Sequence, residues 1–299
     1  MLLSVSDINL FLRCEHEWWC KCVRKRVPRR GDAALYAGSL WHVLLAEYAK
    51  SQDKTKALET ATGELARLRD ELAVFGIEKT VEDFQKQADG LLAAFALYED
   101  PTLGFETLAI ETPIQARLPY RRLVQHELIG TPDRVVRAPD GRVWSVQYKT
   151  ISDRTPPAVF VEMAQRTLHE LVYAFLISEK YVLQEKDYGG TILNVTRKLS
   201  ARGLRERPES AFIHEPIPIQ WEQVSSALHD IATWGDRMER IALGLEPPTQ
   251  NRTADCNRYG NVLSPYWEVR VGRARLEDDL WYMDASPRYG EVGALESAR

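Results

Sequence analysis

The chain has 299 residues, a formal net charge of −4, 44% hydrophobic and 27% charged residues. That is ordinary globular composition, enough for one large domain or one and a half. Its apolar runs fall far short of the roughly 18 residues that span a bilayer. The opening MLLSVSDINLF has no basic leader region or small-residue cleavage site, so a cytoplasmic protein is expected.

In chain order, SVSDINLFLRCEHEWW predicts a helix with Ser4 or Ser6 as N-cap and Ile8, Phe11 and Leu12 as its apolar stripe. The basic run KCVRKRVPRR follows, carrying Arg24, Lys25, Arg26, Arg29 and Arg30. Such a run either contacts phosphates or is a solvated loop. AGSLWHVLLAEYAK predicts a second helix, and residues 55–75 and 80–98 two more. The pattern then turns to strands, in ETLAIETPIQARL, VQHELIGTPDRVVR and RVWSVQYKT. APDG at 138–141 is a tight-turn signal that makes the last two a hairpin.

A long helix is expected over 158–179, then a strand GGTILNVTRK, and a helix over roughly 220–243. On the long helix, Glu162, Gln165, His169 and Tyr173 fall within one arc of about 80°. The apolar residues occupy an adjoining arc. A solvated stripe usually carries more Lys and Glu, so this one reads as lining a site. The order of elements implies an α/β fold, a central mixed sheet flanked by helices behind an N-terminal helical region. Residues 1–245 are expected to form the main domain, with a helical insertion at about 51–100. Residues 246–299 are expected to pack back on the N-terminal helix.

The chemistry gathers on the hairpin. Successive side chains of a strand alternate faces, so Gln147 and Lys149 project together and the hairpin brings Asp133 near them. Metal-assisted phosphodiester hydrolysis needs oxygen ligands for Mg²⁺ or Mn²⁺, an activated water and positive charge beside the phosphate. Asp133, the Gln147 amide oxygen and the Tyr148 carbonyl can supply oxygens, and Lys149 the charge. His42 lies one turn after Gly38 on its helix; it is either a further ligand or a packed helix residue.

TPD, thirteen residues, then QYK resembles the PD-(D/E)XK nuclease superfamily. The flanking SVSDINLFLRCEHEWW, GSLWHVLLAEY, HELVYAFLI and GGTILNVTRK are similar, in order, to the RecB-like and CRISPR-associated-exonuclease-like branch, and the resemblance implies a phage-type member of it. The resemblance implies a restriction-endonuclease-like core and a metal-dependent deoxyribonuclease, often an exonuclease in recombination, repair or phage and CRISPR DNA processing. DNA and proteins of a recombination or CRISPR adaptation complex are the implied partners. His42 and Asp133 would be metal ligands, Lys149 the catalytic lysine and Tyr173 the helix tyrosine. The usual helix glutamine would align with His169 or Gln165, and Glu111 on the neighbouring strand could add charge. Arg197 and Lys198, with the basic run, would hold the DNA backbone.

Two departures stand out. Gln147 takes the place of an acid, removing a unit charge worth about 4 kcal/mol at about 4 Å and an effective dielectric of about 20. Mrr-type restriction nucleases, which also resemble this pattern, have glutamine at the corresponding place, so retained chemistry is expected; an inactive DNA-binding or assembly subunit is the alternative. Many RecB-like members hold an iron–sulfur cluster with one early and three late cysteines. This chain has Cys14, Cys20 and Cys22 early and Cys256 late, so a [4Fe-4S] or Zn²⁺ site and a set of buried cysteines are both open. On a continuous helix Cys20 and Cys22 would point about 200° apart, so a cluster requires the helix to end near Trp19.

Overall fold

In the computed structural model of the protein the described residues are 1–28, 32–73, 78–120, 123–164, 167–249 and short pieces at 258–259, 262–263, 266, 275–277 and 282–284. The chain opens with β1 (Leu2–Ser4), α1 (Val5–Arg13), α2 (Glu15–Trp18), a π-helical turn (Trp19–Val23) and β2 (Arg26–Pro28). Three helices follow, α3 (Ala33–Ser51), α4 (Lys54–Ala73) and α5 (Glu78–Leu97). Then come β3 (Glu106–Ile110), β4 (Ile114–Arg117), β5 (Glu127–Gly130), β6 (Arg134–Arg137) and β7 (Val143–Ser152). The second half holds α6 (Pro157–Ala164), α7 (Leu168–Tyr181), β8 (Tyr188–Lys198), α8 (Ala201–Glu206), β9 (Phe212–Ile217) and α9 (Trp221–Ala242). Short strands β10 (Arg258–Tyr259), β11 (Val262–Leu263) and β12 (Tyr282–Asp284) follow.

These elements form two compact units. One comprises Met1–Arg29, Pro113–Gly130 and Glu222–Arg299; the other comprises Arg30–Thr112 and Thr131–Trp221. In the first, β1, β5 and β4 make a mixed sheet, with Leu3 parallel to Leu128 and Ile114 antiparallel to Gly130. Ser4 caps α1, its hydroxyl accepting from the Asp7 N–H at 3.1 Å. Ile8 and Phe11 are buried as expected, but Leu12 is 40% exposed and Leu10 takes the inner position. On α9 the residues Val224, Leu228, Ile231, Met238 and Ile241 are buried, the spacing of an amphipathic helix. Here β12 pairs with β2, and Glu15 accepts from the Thr249 N–H at 2.7 Å.

The second unit is built on a five-stranded sheet in the order β3-β6-β7-β8-β9. Only β7 and β8 are parallel, with Lys149 opposite Val195. The alternation along β7 separates two layers. Val146 and Tyr148 join Val136 beneath Leu40, Trp41, Leu44, Phe84 and Phe95 of α3 and α5. Leu193 and Val195 of β8 pack with Ile151, Ala164, Phe160 and Val161 on the α6 side. A Cβ on Gly90 of α5 would meet the Leu199 carbonyl oxygen at 2.7 Å, so glycine there lets the helix lie against the end of β8. The hairpin from β6 to β7 forms as predicted, with Gly141 at φ +87° closing its turn.

Four expected elements are divided, the first being the helix over SVSDINLFLRCEHEWW, which breaks into α1 and α2 at Cys14, extended at φ −160°, ψ 107°. ETLAIETPIQARL splits into β3 and β4, in different sheets, because Glu111 turns to φ 45° and Pro113 has no N–H to pair. VQHELIGTPDRVVR splits at Thr131–Pro132–Asp133 for the second of these reasons. The helix expected over 158–179 is two helices, since Thr167 is extended at φ −83°, ψ 144° and starts α7. The continuous polar arc from Glu162 to Tyr173 therefore does not exist; Gln165 lies outside the described residues.

Candidate metal centre

Each member of the centre is held by its own element. α3 starts at Asp32, whose carboxylate accepts from the Ala34 N–H at 2.8 Å. Its buried Leu40, Trp41, Leu44 and Leu45 fix the helix, leaving His42 partly exposed at 31%. A Cβ on Gly38 would meet only Thr150 Oγ1, at 3.7 Å, so no described neighbour requires glycine there. Asp133 stands just before β6 and is 6% exposed. Its Oδ2 accepts from the Tyr148 N–H at 2.6 Å, which ties it across the hairpin. The Asp133 carbonyl accepts from the Glu111 N–H at 3.0 Å, bringing the end of β3 alongside.

These contacts converge. His42 Nδ1 lies 3.3 Å from Asp133 Oδ1 and 3.7 Å from Glu111 Oε1. One ligand atom from each of the three lies within 4.8 Å of the others. Two carboxylate oxygens and an imidazole nitrogen suit Mg²⁺ or Mn²⁺ better than a soft metal. The electrostatics fit a cation. Burial works against charge on His42, yet Asp133 and Glu111 beside it raise its pKa to about 9. Burial likewise raises the proton affinity of Asp133, but His42, Lys149 and the Tyr148 amide together hold it below the usual carboxylate value. The two acids thus demand positive charge at Nδ1, supplied by a proton or by a metal.

Lys149, half-buried on β7, is felt electrostatically at Asp133, His42, His169 and Glu170. Gln147, two residues before it on the same face, is 1% exposed, and among the described residues its Nε2 has no hydrogen-bond partner. The Tyr148 ring lies on the opposite face and meets the His42 ring edge-on, centroids 6.2 Å apart. On α7, Tyr173 donates its hydroxyl to the Thr131 carbonyl at 3.2 Å, which steadies the turn before Asp133. The His169 ring lies 6.0 Å from that of Tyr173. Burial and then Lys149 push the pKa of His169 down to about 4.

The sequence reading missed Glu170. It is 2% exposed, and burial raises its proton affinity, which Lys149 and a Thr191 hydrogen bond only partly offset. A signal was present: Thr167-Leu168-His169-Glu170 has the form T-x-x-E of a capping box. It also marks the break between α6 and α7. The Thr167 side chain makes no capping bond, however, and Glu170 turns inward.

The basic residues divide. Arg24 pairs with Glu277 and lies over the Trp19 ring, Arg26 donates to the Leu276 carbonyl at 3.1 Å, and Lys25 has φ 53°. All three belong to the first unit, and the centre to the second. Arg29 and Arg30 lie outside the described residues. Arg197 is 8% exposed and donates to Asp153 Oδ1 at 3.0 Å. Lys198 is half-buried at the end of β8, where burial lowers its pKa. The α-helix does give way at Trp19, to the π-helical turn that carries Cys20 and Cys22. Cys22 donates to Asp7 Oδ1 at 3.3 Å, and burial raises both thiols, Cys20 to about 12. Cys14 is buried. No three cysteines bring their sulfurs within 4.8 Å among the described residues; Cys256 lies outside them.

A mixed sheet between helical layers, with a His–Glu–Asp cluster beside a strand lysine, defines a nuclease-like α/β protein with a candidate metal centre. A profile of the PD-(D/E)XK nuclease superfamily matches residues 2–259, and the chain belongs to that superfamily. No curated protein matches. Among solved structures, the fold is similar to that of a "putative exonuclease" from Eubacterium rectale, with TM-score 0.53 and 14% identity over 88% of this chain and 89% of that one. A second structure, SSO0001, aligns at TM-score 0.34 and 12% identity over 83% of this chain and 78% of that one. No helix among the described residues is long and apolar enough to cross a membrane.

Proposed function

We propose that this chain is a divalent-metal-dependent deoxyribonuclease, acting as an exonuclease on DNA ends in recombination, repair or phage and CRISPR DNA processing in the cytoplasm. The observation that carries the reading is the convergence of His42, Glu111 and Asp133 within 4.8 Å, with the Lys149 charge felt at Asp133 and His42. His42, Glu111 and Asp133 would hold Mg²⁺ or Mn²⁺, with the Gln147 amide oxygen and Tyr148 carbonyl as further donors. A bound metal supplies Lewis acidity and a more acidic water. Lys149 orients that water and offsets negative charge gathering on the phosphate. Tyr173 keeps the Thr131–Asp133 turn in place. Arg24, Lys25, Arg26, Arg29, Arg30 and Lys198 would contact the DNA backbone; Arg197, bound to Asp153, would contribute mainly by shaping the strand end. Cys14, Cys20, Cys22 and Cys256 would take a cluster or Zn²⁺ only after the Cys14 disulfide is reduced and the Cys22–Asp7 bond opens.

The test is cleavage of end-labelled single- and double-stranded DNA with Mg²⁺, Mn²⁺ or EDTA. Cleavage should need the metal, disappear in Asp133→Ala and fall about 10²- to 10³-fold in Lys149→Ala, while the circular dichroism spectrum is unchanged. Wild-type rates in either variant would overturn the mechanism. The buried amide of Gln147 favours one second reading, a DNA-binding or assembly subunit that has lost catalysis. That protein would bind DNA without degrading it.

A further inference from the structure

Gln147 and Glu170 each carry an unsatisfied polar atom inside the second unit, on the side of the sheet that carries Lys149. Gln147 Nε2, a donor, and Glu170 Oε2, an acceptor, are both buried and have no hydrogen-bond partner among the described residues. Their residues are 1% and 2% exposed. A buried polar group left unpaired costs about 1–3 kcal/mol, so two complementary orphans in one region call for a common explanation.

Their placement supplies one. Ser145, Gln147 and Lys149 alternate onto one face of β7. The Glu170 carboxyl bonds Thr191, the cross-strand partner of Ser145, and it also feels the Lys149 charge. Glu170 therefore overlies this row of side chains, and Gln147 stands at its middle. We propose that Glu170 is a positioning residue for Gln147: the two are not hydrogen-bonded in this structure, and a side-chain rotation that pairs them lets the carboxyl group accept the Gln147 amide N–H and turns the amide oxygen toward His42, Glu111 and Asp133.

The chemistry follows from the amide. A carboxylate at 147 would offer oxygen whichever way it turned, whereas a glutamine presents either an oxygen, which attracts a cation, or an NH₂, which repels one. Something must select the oxygen. An acceptor behind the amide does so, and a partner fixing a metal-binding group in this way is worth about 10- to 100-fold in affinity. This inference rests on the metal-centre reading above.

Three measurements on the variants Glu170→Leu and Glu170→Gln test it: Mn²⁺ titration by calorimetry, thermal melting and the ¹H–¹⁵N side-chain amide signal of Gln147. Glu170→Leu keeps the volume and removes the acceptor; it should weaken Mn²⁺ binding about 10- to 100-fold and move the amide signal. Glu170→Gln keeps an acceptor oxygen and should bind Mn²⁺ within about 3-fold of wild type, with the signal in place. If both variants lose Mn²⁺ binding as completely as Asp133→Ala does, Glu170 is itself a ligand and the proposal falls. It falls equally if Glu170→Leu melts as a folded protein with unchanged affinity and an unmoved signal. A wild-type protein that binds no Mn²⁺ would instead overturn the metal-centre reading, and the amide signal would still decide the contact between Glu170 and Gln147.

Discussion

Each unit contains a histidine against an aspartate, and the two pairs are built for different ends. In the first unit His126 is fully buried and its Nε2 lies 2.9 Å from Asp236 Oδ1. Asp236 also accepts from the N–H groups of Leu123 and Val124, at 3.1 and 3.4 Å, so both oxygens are engaged. Gly235 lies directly against the His126 ring, where a Cβ would come within 2.8 Å. In the second unit the His42–Asp133 distance is longer, 3.3 Å, the imidazole is 31% exposed, and a second acid, Glu111, faces the same nitrogen. The pair with every polar atom satisfied and no access is a structural pin. The pair with excess negative charge and an opening is a candidate site. Saturation and access, rather than residue type, separate the two.

The strongest way to break the comparison is to disable each aspartate in turn. Asp133→Asn should bring metal-dependent cleavage below about 10⁻³ of wild type with little change in melting temperature. Asp236→Asn should do the reverse, costing about 3 kcal/mol of stability by urea unfolding while the folded protein still binds Mn²⁺. A variant pair that failed to separate in this way would erase the distinction. Lys149→Ala sharpens it further: cleavage should fall about 10²- to 10³-fold, with Mn²⁺ affinity changed far less.

Proton linkage gives a smaller effect of definite sign. In the metal-free protein His42 is raised to about 9, so at pH 7.5 it carries a proton that a metal must displace. Mn²⁺ binding should release about one proton, read by calorimetry in buffers of different ionisation heat. Affinity should climb about tenfold per pH unit below that value and level off above it. A release that persisted unchanged in His42→Ala would detach the proton from this residue. The smallest effect is that of Glu111→Gln, which keeps one oxygen and should weaken Mn²⁺ about tenfold.

Much of the second unit could be read from the sequence because its signals were local. APDG fixed a hairpin, and the strand period placed Gln147 and Lys149 on one face. The motif resemblance named His42 and Asp133 as ligands, and Glu111 was expected only to add charge from the neighbouring strand. What could not be read depended on tertiary context. VYAFLI in α7 is apolar on every side, so no stripe shows which first-turn residue is drawn inward with it, and Glu170 went unnoticed. Nothing between Ala158 and Leu168 is Gly or Pro, so the end of α6 carried no strong breaker. The discontinuous first unit joins three separate stretches of chain, an assembly that no local periodicity announces.

Glu111 leaves the chain with a conflict of interest. Its left-handed backbone is one that a side chain makes dearer by about 1 kcal/mol and glycine would adopt freely. A screen for heat tolerance would therefore favour glycine at this position, while a screen for metal-dependent turnover would discard it. Residue 111 is where those two selections should pull the sequence in opposite directions.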